Sequence, residues 1–341
     1  MKKILLRIFD HLMINSLFLK ATASKVRVLM YHGISRDDES IDSWTLIPRS
    51  LFERQLRYLV KHFDVLSVYE AQERIFSGNK NRGRPAVVIT FDDGLKNNHS
   101  ILLLLLNQYK VKATIFIATS SVENQEPFWF DKLKYLIQTR KLSGEINLKR
   151  YGLRIYDFSN EERMKRWNSI FSFLTDLKRI DPCNRRTVYD YIFENSVMPI
   201  SWEDTPFAPL TQQEAAELGS SPFVTIGSHS HCHNILTQIP LSEVETSVMK
   251  SLELLRCWTG KKVSCFSYPN GDYNSSILEV VAKLGISLAM AGREGFWGKE
   301  TNPLTICRLN IGGYDSLQNF KARLSGSLLY LRSIRRIKGL G

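Results

Sequence analysis

The chain has 341 residues, of which 43% are hydrophobic and 11% aromatic, a size and composition typical of one large or two small globular α/β domains. The net charge of +12 favours an anionic partner, either an acidic glycan, an anionic membrane surface or nucleic acid. The sequence carries no long run of lysine and arginine and no zinc-finger, RRM or helix-turn-helix signature, so we expect no nucleic-acid partner.

The two ends of the chain are basic and amphipathic. Residues 1–25 begin like a signal peptide, but polar residues (Asp10, His11, Asn15 and Lys20) interrupt the apolar part. The segment is better described as an amphipathic helix, whose apolar side would carry Ile4, Leu5, Ile8, Phe9, Leu12 and Leu17. Residues 326–341 have the same character. Two such ends suggest peripheral attachment to an anionic membrane face, and packing of both ends on the domain is the alternative.

The sequence favours a cytoplasmic location, peripheral on the inner membrane. The five cysteines are odd in number and form no CxxC pair, which favours free thiols in a reducing compartment. No run of 18 apolar residues is present, so no transmembrane helix is predicted. Export with an uncleaved N-terminal anchor is the alternative.

Short apolar runs alternate with longer amphipathic stretches over most of the chain. The predicted strands cover residues 26–32, 86–91, 112–120, 223–228, 263–269, 286–291 and 304–311. The predicted helices cover residues 50–63, 100–109, 242–260 and 275–285, and Ser242 is the expected N-cap of the third. This alternation predicts a mostly parallel sheet, either open or closed into a barrel.

Residues 121–204 interrupt the alternation. They are rich in charged and aromatic residues, and we predict that they form a helical insertion within one domain of residues 26–325. The aromatic residues at the start of the insertion (Phe128, Trp129 and Phe130) are typical of sugar-binding surfaces and also of a helix packed on a barrel. Packing is the favoured interpretation.

Three polar clusters each follow a predicted strand directly. They are TFDDG at 90–94, HSHCH at 229–233 and YPNG at 268–271, and the second holds three of the seven histidines. In parallel α/β folds the loops that follow the strands converge on one face, which carries the active site. The clusters are therefore expected to meet in space.

Each cluster alone has an ordinary explanation, since DDG and YPNG suit turns and HxxxH occurs in polar loops. Together they favour a metal site. On a helical turn, His229 and His233 would share one side, and a carboxylate from Asp92 or Asp93 would complete three protein ligands. The other aspartate would stay free to act as a general base.

These motifs, in this order and with VLMYHGI at 28–34, resemble the polysaccharide deacetylase family with its NodB-homology domain, over residues 26–311 with the insertion excepted. The resemblance implies an α/β fold, a distorted (β/α) barrel of the NodB-homology type. It implies metal-dependent removal of acetyl groups from N-acetylated sugars. It also implies a general base at Asp92 and ligands for a divalent metal, usually zinc, at Asp93, His229 and His233.

Two further positions match family motifs. Ser230 matches a hydroxyl position between the histidine ligands, for which a structural role is expected. Tyr268 matches the motif tyrosine whose backbone N–H helps to stabilise the oxyanion.

Departures from the family pattern leave other roles open. Many members carry an arginine two residues before the proline of the third motif, where this chain has Ser267. Arg308 would pair with Asp92 instead, unless it is a surface charge on its strand. Many members also carry a late histidine that protonates the leaving amine, but no histidine follows the second motif here. His32 is a candidate for that role, for sugar binding or for a structural hydrogen bond, and His231 is a further candidate.

The sequence therefore predicts a metal-dependent deacetylase that hydrolyses N-acetyl groups of a glycan or a lipid-linked saccharide in bacterial surface polysaccharide synthesis. A metal-activated water and an aspartate base would carry the reaction, with Zn2+ as the expected metal. A catalytically impaired glycan-binding module and an O-acetyl esterase on the same scaffold are the alternatives. The expected catalytic residues are Asp92, Tyr268, Arg308 and His32, and the expected metal ligands are Asp93, His229 and His233.

Overall fold

The computed structural model describes residues 14–77, 83–194, 196 and 201–330. Five residues of the predicted N-terminal apolar face (Ile4, Leu5, Ile8, Phe9 and Leu12) lie outside the described residues, as do residues 331–341 of the basic tail. Within the described ranges, no helix has the length and apolarity needed to cross a membrane.

The strands form one large parallel sheet and two small two-stranded sheets. In chain order they are β1 Arg27–Tyr31, β2 Gly33–Ser35, β3 Leu46–Pro48, β4 Asp64–Leu66, β5 Ala86–Phe91, β6 Ala113–Ile117, β7 Glu145–Asn147, β8 Ile155–Asp157, β9 Val224–Ser228, β10 Cys265–Ser267, β11 Leu288–Glu294 and β12 Ile306–Asn310. Strands β1, β12, β11, β10, β9, β6 and β5 pair in that order, and β5 pairs back to β1. The sheet thus closes into a seven-stranded parallel barrel, which confirms the predicted distorted (β/α) barrel. Strand β4 adds to the first half of β5.

Helices cover the barrel and fill the insertion. In chain order they are α1 Ile14–Ala21, α2 Arg49–His62, α3 Val68–Phe76, α4 Leu104–Tyr109, α5 Thr119–Asn124, α6 Trp129–Gln138, α7 Arg163–Arg179, α8 Pro182–Glu194, α9 Gln212–Ser220, α10 Leu241–Thr259, α11 Ser275–Lys283 and α12 Leu317–Ser325. A π-helical segment, Asn98–Leu103, runs into α4, and short 3-10 turns are Lys149–Tyr151, Trp202–Asp204, Leu236–Gln238 and Pro269–Gly271.

The barrel strands form because their side chains are apolar on both faces. Every residue of β1 and β5 is buried, as expected for parallel strands that are covered inside and outside. At the end of these two strands, Tyr31 lies opposite Phe91 and the two rings stack with centroids 5.2 Å apart. This packing gives a rigid base to the loops that follow.

Some local features differ from the sequence prediction. Helix α10 begins at Leu241 with Pro240 at the N-cap, so the predicted cap at Ser242 is wrong. The helix ends at Gly260 as expected, with a φ of 67° in the left-handed region that glycine favours. Helices α3 and α9 were not predicted, although each begins with a capping box of the Ser/Thr-x-x-Glu type, at residues 67–70 and 211–214.

The insertion is not wholly helical. Between α6 and α7 it contains the antiparallel hairpin of β7 and β8. Its helices and hairpin enclose an apolar cluster of their own, which consists of the buried residues Leu133, Ile137, Leu148, Tyr156, Phe158, Ile170, Phe173, Leu177, Val188 and Ile192. The insertion therefore has an apolar core of its own.

The first described residues, in helix α1, lie beside the last ones, at residues 327–330. Asn15 in α1 accepts a hydrogen bond from Ser327 at 2.9 Å, and the rings of Phe18 and Tyr330 have centroids 5.4 Å apart. Arg27, the first residue of β1, donates to a backbone carbonyl near the end of α12 at 3.0 Å. Because β1 begins there, these ends lie at the barrel end opposite the polar clusters.

Candidate active site

The predicted site residues gather at the C-terminal end of the barrel strands. Six of them lie in the loops after strands: His32 after β1, Asp92 and Asp93 after β5, His229 and His233 after β9, and Tyr268 after β10. The seventh, Arg308, lies within β12. All seven line one cavity of about 300 Å³. The fold therefore brings them together, while their individual roles stay predictions.

Asp93, His229 and His233 form a cluster with the geometry of a metal site. Asp93 Oδ1 lies 3.6 Å from His229 Nε2 and 3.3 Å from His233 Nε2. One ligand atom of each residue lies within 4.8 Å of the others, and the described residues contain no second cluster of this kind. Ligands about 2.1 Å from a zinc ion at tetrahedral angles stand about 3.4 Å apart. These three groups fit such an ion.

The tautomer of His229 also fits a metal ligand. Its Nδ1 lies 2.7 Å from the carbonyl oxygen of Ser267, so Nδ1 carries the proton and donates it there. The lone pair of Nε2 is then free on the side of Asp93. Burial lowers the pKa of His229 to about 4, although the Asp92 carboxylate opposes this shift. The ring is therefore neutral near pH 7, as metal binding requires.

The loop that carries the histidines is bent by left-handed residues. Residues 229–233 are not helical, so His229 and His233 do not share one side of a helical turn. Ser230 has a φ of 63° and His233 a φ of 53°, and these bends bring the rings of His229 and His233 to a centroid distance of 4.8 Å. Asp93 has a φ of 78°. Such conformations cost about 1–2 kcal/mol for each non-glycine residue, and they concentrate at functional sites.

Asp92 is held by Arg308. The guanidinium donates from Nη1 to Asp92 Oδ1 and from Nη2 to Asp92 Oδ2, both at 2.7 Å. The two side chains are only 3% and 1% exposed. The structure thus shows the predicted pairing, and Arg308 is not a surface charge.

The Ser267 hydroxyl bridges the same pair. It donates to Asp92 Oδ2 at 3.2 Å and accepts from Arg308 Nη2 at 2.9 Å. Burial alone would raise the pKa of Asp92, but the charge and the hydrogen bonds of Arg308 outweigh it and hold the pKa below its ordinary value. Asp92 is therefore ionised near pH 7 and can accept a proton.

Tyr268 does not offer the group that the resemblance implied. Its backbone N–H donates to the carbonyl of Met290 at 3.1 Å, as part of the pairing between β10 and β11. Its hydroxyl donates to the carbonyl of Leu304 at 3.1 Å. Both donors are already in use, so the predicted oxyanion role of Tyr268 is wrong for this arrangement, and its buried ring serves as part of the cavity floor.

His32 lies on the cavity wall with an unused ring nitrogen. Its Nδ1 is buried and has no hydrogen-bond partner, and its ring meets Trp44 edge to face at a centroid distance of 5.0 Å. A structural hydrogen bond from Nδ1 is therefore absent, and the residue itself lines the cavity. Burial lowers the pKa of His32, while Asp93 and Asp92 oppose that shift.

His231 lies outside the cavity. Its Nδ1 is 2.9 Å from Thr119 Oγ1, and its Nε2 is 3.0 Å from Lys250 Nζ. Both ring nitrogens have partners on the far side of the loop, so the structure gives no support to His231 as the general acid. Ser230 is buried with a hydroxyl that has no partner, and its backbone N–H donates to Ser228 Oγ at 3.2 Å.

The insertion supplies one wall of the cavity, although packing on the barrel was the favoured interpretation of its aromatic residues. Phe128 and Phe130 pack against the ring of His233, with centroids 4.7 and 5.4 Å from it. Further lining residues that were missed are Trp44, Lys134, Trp167, Phe171, Leu174 and Lys178. A signal for part of this wall existed, because residues 167, 171, 174 and 178 have the four-three-four spacing of one helix face.

The sequence is similar to a known protein family. The model of the family described as polysaccharide deacetylase matches residues 79–289, which is more than half of the chain. YxkH of Bacillus subtilis (strain 168), which is named for the same family, is 28% identical over 116 residues. That match covers 34% of this chain and 39% of YxkH, so the chain aligns with well under two thirds of that relative.

Solved structures share the fold. The Streptococcus pyogenes deacetylase PplD in complex with acetate matches with a TM-score of 0.58 and 18% identity, over 88% of this chain and 98% of PplD. The de-N-acetylase from Aggregatibacter actinomycetemcomitans matches with a TM-score of 0.55 and 15% identity, over 88% of this chain and 99% of that chain. With the family match over residues 79–289, more than half of the chain, these findings show that the chain belongs to the polysaccharide deacetylase family.

Proposed function

We propose that this chain is a metal-dependent N-deacetylase that acts on a glycan or a lipid-linked saccharide in bacterial surface polysaccharide synthesis. The observation that carries the proposal is the cluster of Asp93, His229 and His233 beside a separately held, ionised Asp92. Structural relatives named as a deacetylase and a de-N-acetylase support the choice of reaction.

The chain's residues divide the work of amide hydrolysis. Asp93, His229 and His233 would hold the metal, and a divalent cation bound there would supply Lewis-acid polarisation of the acetyl carbonyl and of a water molecule. Asp92 accepts the proton of the attacking water, and its bonds to Arg308 fix the carboxylate in place. His32 faces the cavity and is the candidate donor of a proton to the leaving amine.

The first experiment measures metal content and acetate release together. The purified chain is analysed for bound metal and incubated with N-acetylglucosamine oligomers. We expect about one divalent metal per chain in the wild type, and loss of both metal and activity in Asp93→Ala, His229→Ala and His233→Ala. Asp92→Asn should keep the metal and lose acetate release.

His231→Ala is the matched control, because it removes a histidine from the same loop that does not face the cavity. It should keep both metal and activity. Metal binding without acetate release from N-acetyl or O-acetyl sugars would favour a glycan-binding module. Absence of metal from the wild type after zinc addition would sink the proposal.

We also propose that the chain attaches to an anionic membrane through both ends. Helix α1 and residues 327–330 are in contact at the barrel end opposite the cavity. The segments beyond them are basic, with residues Lys2, Lys3, Arg7, Arg332, Arg335, Arg336 and Lys338. Basic residues near an anionic surface contribute about 1 kcal/mol each. On this arrangement the cavity would face away from the bilayer.

Co-sedimentation with vesicles tests the attachment. We expect binding to phosphatidylglycerol vesicles and little binding to phosphatidylcholine vesicles, with a decline in high salt. The variant Arg335→Gln/Arg336→Gln/Lys338→Gln should bind more weakly. Equal binding to both vesicle types, or to neither, would contradict a charge-driven attachment.

A further inference from the structure

One face of helix α7 lines the cavity. Trp167, Phe171, Leu174 and Lys178 recur at intervals of four, three and four residues, and all of them line the cavity. Phe171 is 59% exposed, although its neighbours on this face are partly buried. An exposed aromatic ring at a cavity mouth is suited to stacking on the apolar face of a sugar ring.

Lys178 ends this face and points to the third motif. Its Nζ donates to Asn270 Oδ1 at 3.1 Å, and its backbone carbonyl accepts from Gln238 at 2.9 Å. Asn270 itself has a φ of 59°, a left-handed conformation that orients its side chain. The end of α7 is thereby fixed beside the catalytic loops, and Lys178 has a defined position.

Lys178 differs from the other two cations of the cavity. Arg308 is paired with Asp92, and the buried Lys134 forms an ion pair with Asp131. Within the described ranges, by contrast, no carboxylate lies within 4.0 Å of Lys178 Nζ. Burial lowers the pKa of Lys178, and Lys134 adds to that shift, while Asp93, Asp131 and Asp272 oppose it. A partly buried ammonium without a counter-ion gains most from an anionic ligand.

The distance of Lys178 from the metal cluster decides what it can contact. Both lie beside the ring of Phe130, whose centroid is 6.0 Å from Lys178 Nζ and 5.4 Å from the centroid of His233. Lys178 Nζ bonds to Asn270 and to none of the three candidate metal ligands, so it lines the cavity beside the place where an acetyl group would react. It is suited to a substituent of the substrate and not to the acetamide itself.

We infer that Lys178 binds an anionic oxygen group, a carboxylate or a phosphate, next to the N-acetylated sugar, and that the substrate is an acidic saccharide. This inference rests on the proposed function and adds the substrate class. Trp167 and Phe171 would stack on the sugar rings, and the Lys178 ammonium would bind the anionic group. The net charge of the chain, +12, favours the approach of such a substrate.

Direct binding tests the inference without any need for turnover. Trp44 and Trp167 line the cavity, so tryptophan fluorescence of the zinc-loaded full chain reports occupancy. Three probes are titrated: neutral chitotetraose, a tetrasaccharide of alternating glucuronic acid and N-acetylglucosamine, and N-acetylglucosamine 1-phosphate. We expect at least one anionic probe to bind about 10-fold more tightly than the neutral one at low salt, as one charge-assisted hydrogen bond allows. The tighter anionic probe distinguishes a carboxylate from a phosphate.

Variants separate charge recognition from a purely structural clamp. Lys178→Met should abolish the preference for anions and leave the affinity for chitotetraose within about 2-fold. Lys178→Arg should keep the preference, because it keeps the charge. Lys165→Met is the matched control, since Lys165 lies on the same helix, is 65% exposed and pairs with Glu162. It should change nothing.

Two results would overturn the inference. One is a wild type that binds neutral and anionic probes equally. The other is a Lys178→Met variant that weakens all three probes alike, because that result assigns Lys178 to the positioning of α7 alone. Either result leaves the metal and acetate measurements unaffected, so failure of this inference is distinct from failure of the proposed function.

Discussion

Asp92 and Arg308 are 216 residues apart along the chain and form a buried, two-pronged ion pair at the end of the barrel. Strand β5 leads to the carboxylate and β12 carries the guanidinium, so the pair joins two strands that do not pair with each other. Buried charges are tolerated only when their partners are in place. We therefore expect the pair that holds the candidate general base to contribute also to the stability of the barrel.

Removal of one partner should destabilise the protein strongly. Arg308→Met leaves the Asp92 carboxylate buried and unpaired, and we expect a loss of about 3–5 kcal/mol in the free energy of unfolding. The double variant Asp92→Asn/Arg308→Met should recover much of this loss while staying inactive. Urea unfolding of the wild type, both single variants and the double variant measures the coupling. If the losses of the single variants simply add, the pair does not act as a unit.

Two glycines with the same backbone conformation should respond differently to alanine. Gly271 has a φ of 81° and Gly285 a φ of 83°. A Cβ at Gly271 would lie 2.2 Å from the Cα of Gly292, whereas nothing lies within 4 Å of a Cβ at Gly285. Gly285→Ala should cost about 1–2 kcal/mol for its backbone alone. Gly271→Ala should cost clearly more and reduce acetate release, since the third motif must move. Equal unfolding free energies for the two variants would contradict the close packing of Gly271 on β11.

The role of His32 can be tested by the choice of leaving group. An amine must be protonated as it leaves, whereas p-nitrophenolate leaves without help. If His32 is the proton donor, His32→Asn should slow N-deacetylation about 100-fold or more and leave p-nitrophenyl acetate hydrolysis nearly unchanged. Equal loss of both activities would assign His32 to a positioning role, and His231→Asn serves as the matched control.

Zinc should stabilise the folded chain through its three ligands. At a free zinc concentration about 100-fold above the dissociation constant, binding contributes about 2.7 kcal/mol to the free energy of unfolding. This gain should appear in the wild type and in His231→Ala, and it should vanish in His233→Ala. Urea unfolding with and without zinc measures it, and an equal gain in His233→Ala would point to zinc binding elsewhere.

The cysteines should differ in reactivity. All five are free thiols, and Cys265 is buried while Cys183, Cys232 and Cys257 are exposed. Burial raises the pKa of Cys265 to about 12, so almost none of it is thiolate at pH 8. A thiol reagent followed by peptide mapping should label the three exposed cysteines in the native protein, and Cys265 only after unfolding. Fast labelling of Cys265 in the native state would show that β10 opens.

The sequence allowed much of the barrel to be predicted, because its apolar runs end in polar motifs. The loops of Asp92, Asp93, His229 and His233 were identified in this way. The three-residue strands β2, β3 and β4 were missed, since so short a run has no measurable periodicity. Their existence depends on neighbours that become adjacent only after folding.

The errors at the site have physical causes. The oxyanion role of Tyr268 followed from a motif, but the motif does not reveal that β11 takes up its N–H. The wall of Trp167, Phe171 and Lys178 could not be placed, because the insertion has no motif that states where it docks. Arg308 was predicted either to pair with Asp92 or to be a surface charge on its strand. The pairing became visible only in the closed barrel, because β5 and β12 are distant in sequence.

The double pairing of β1 has a consequence for how the chain folds. Strand β1 pairs with β5, where Arg27 lies opposite Val87, and with β12, where Leu29 lies opposite Leu309, so the ring remains open until β12 has docked. Contacts of such long sequence separation slow folding, and open parallel edges are exposed to association in the meantime. We therefore expect chains that stop before β12 to aggregate, and full-length chains to refold through a slow final phase in which the Asp92 carboxylate first meets Arg308.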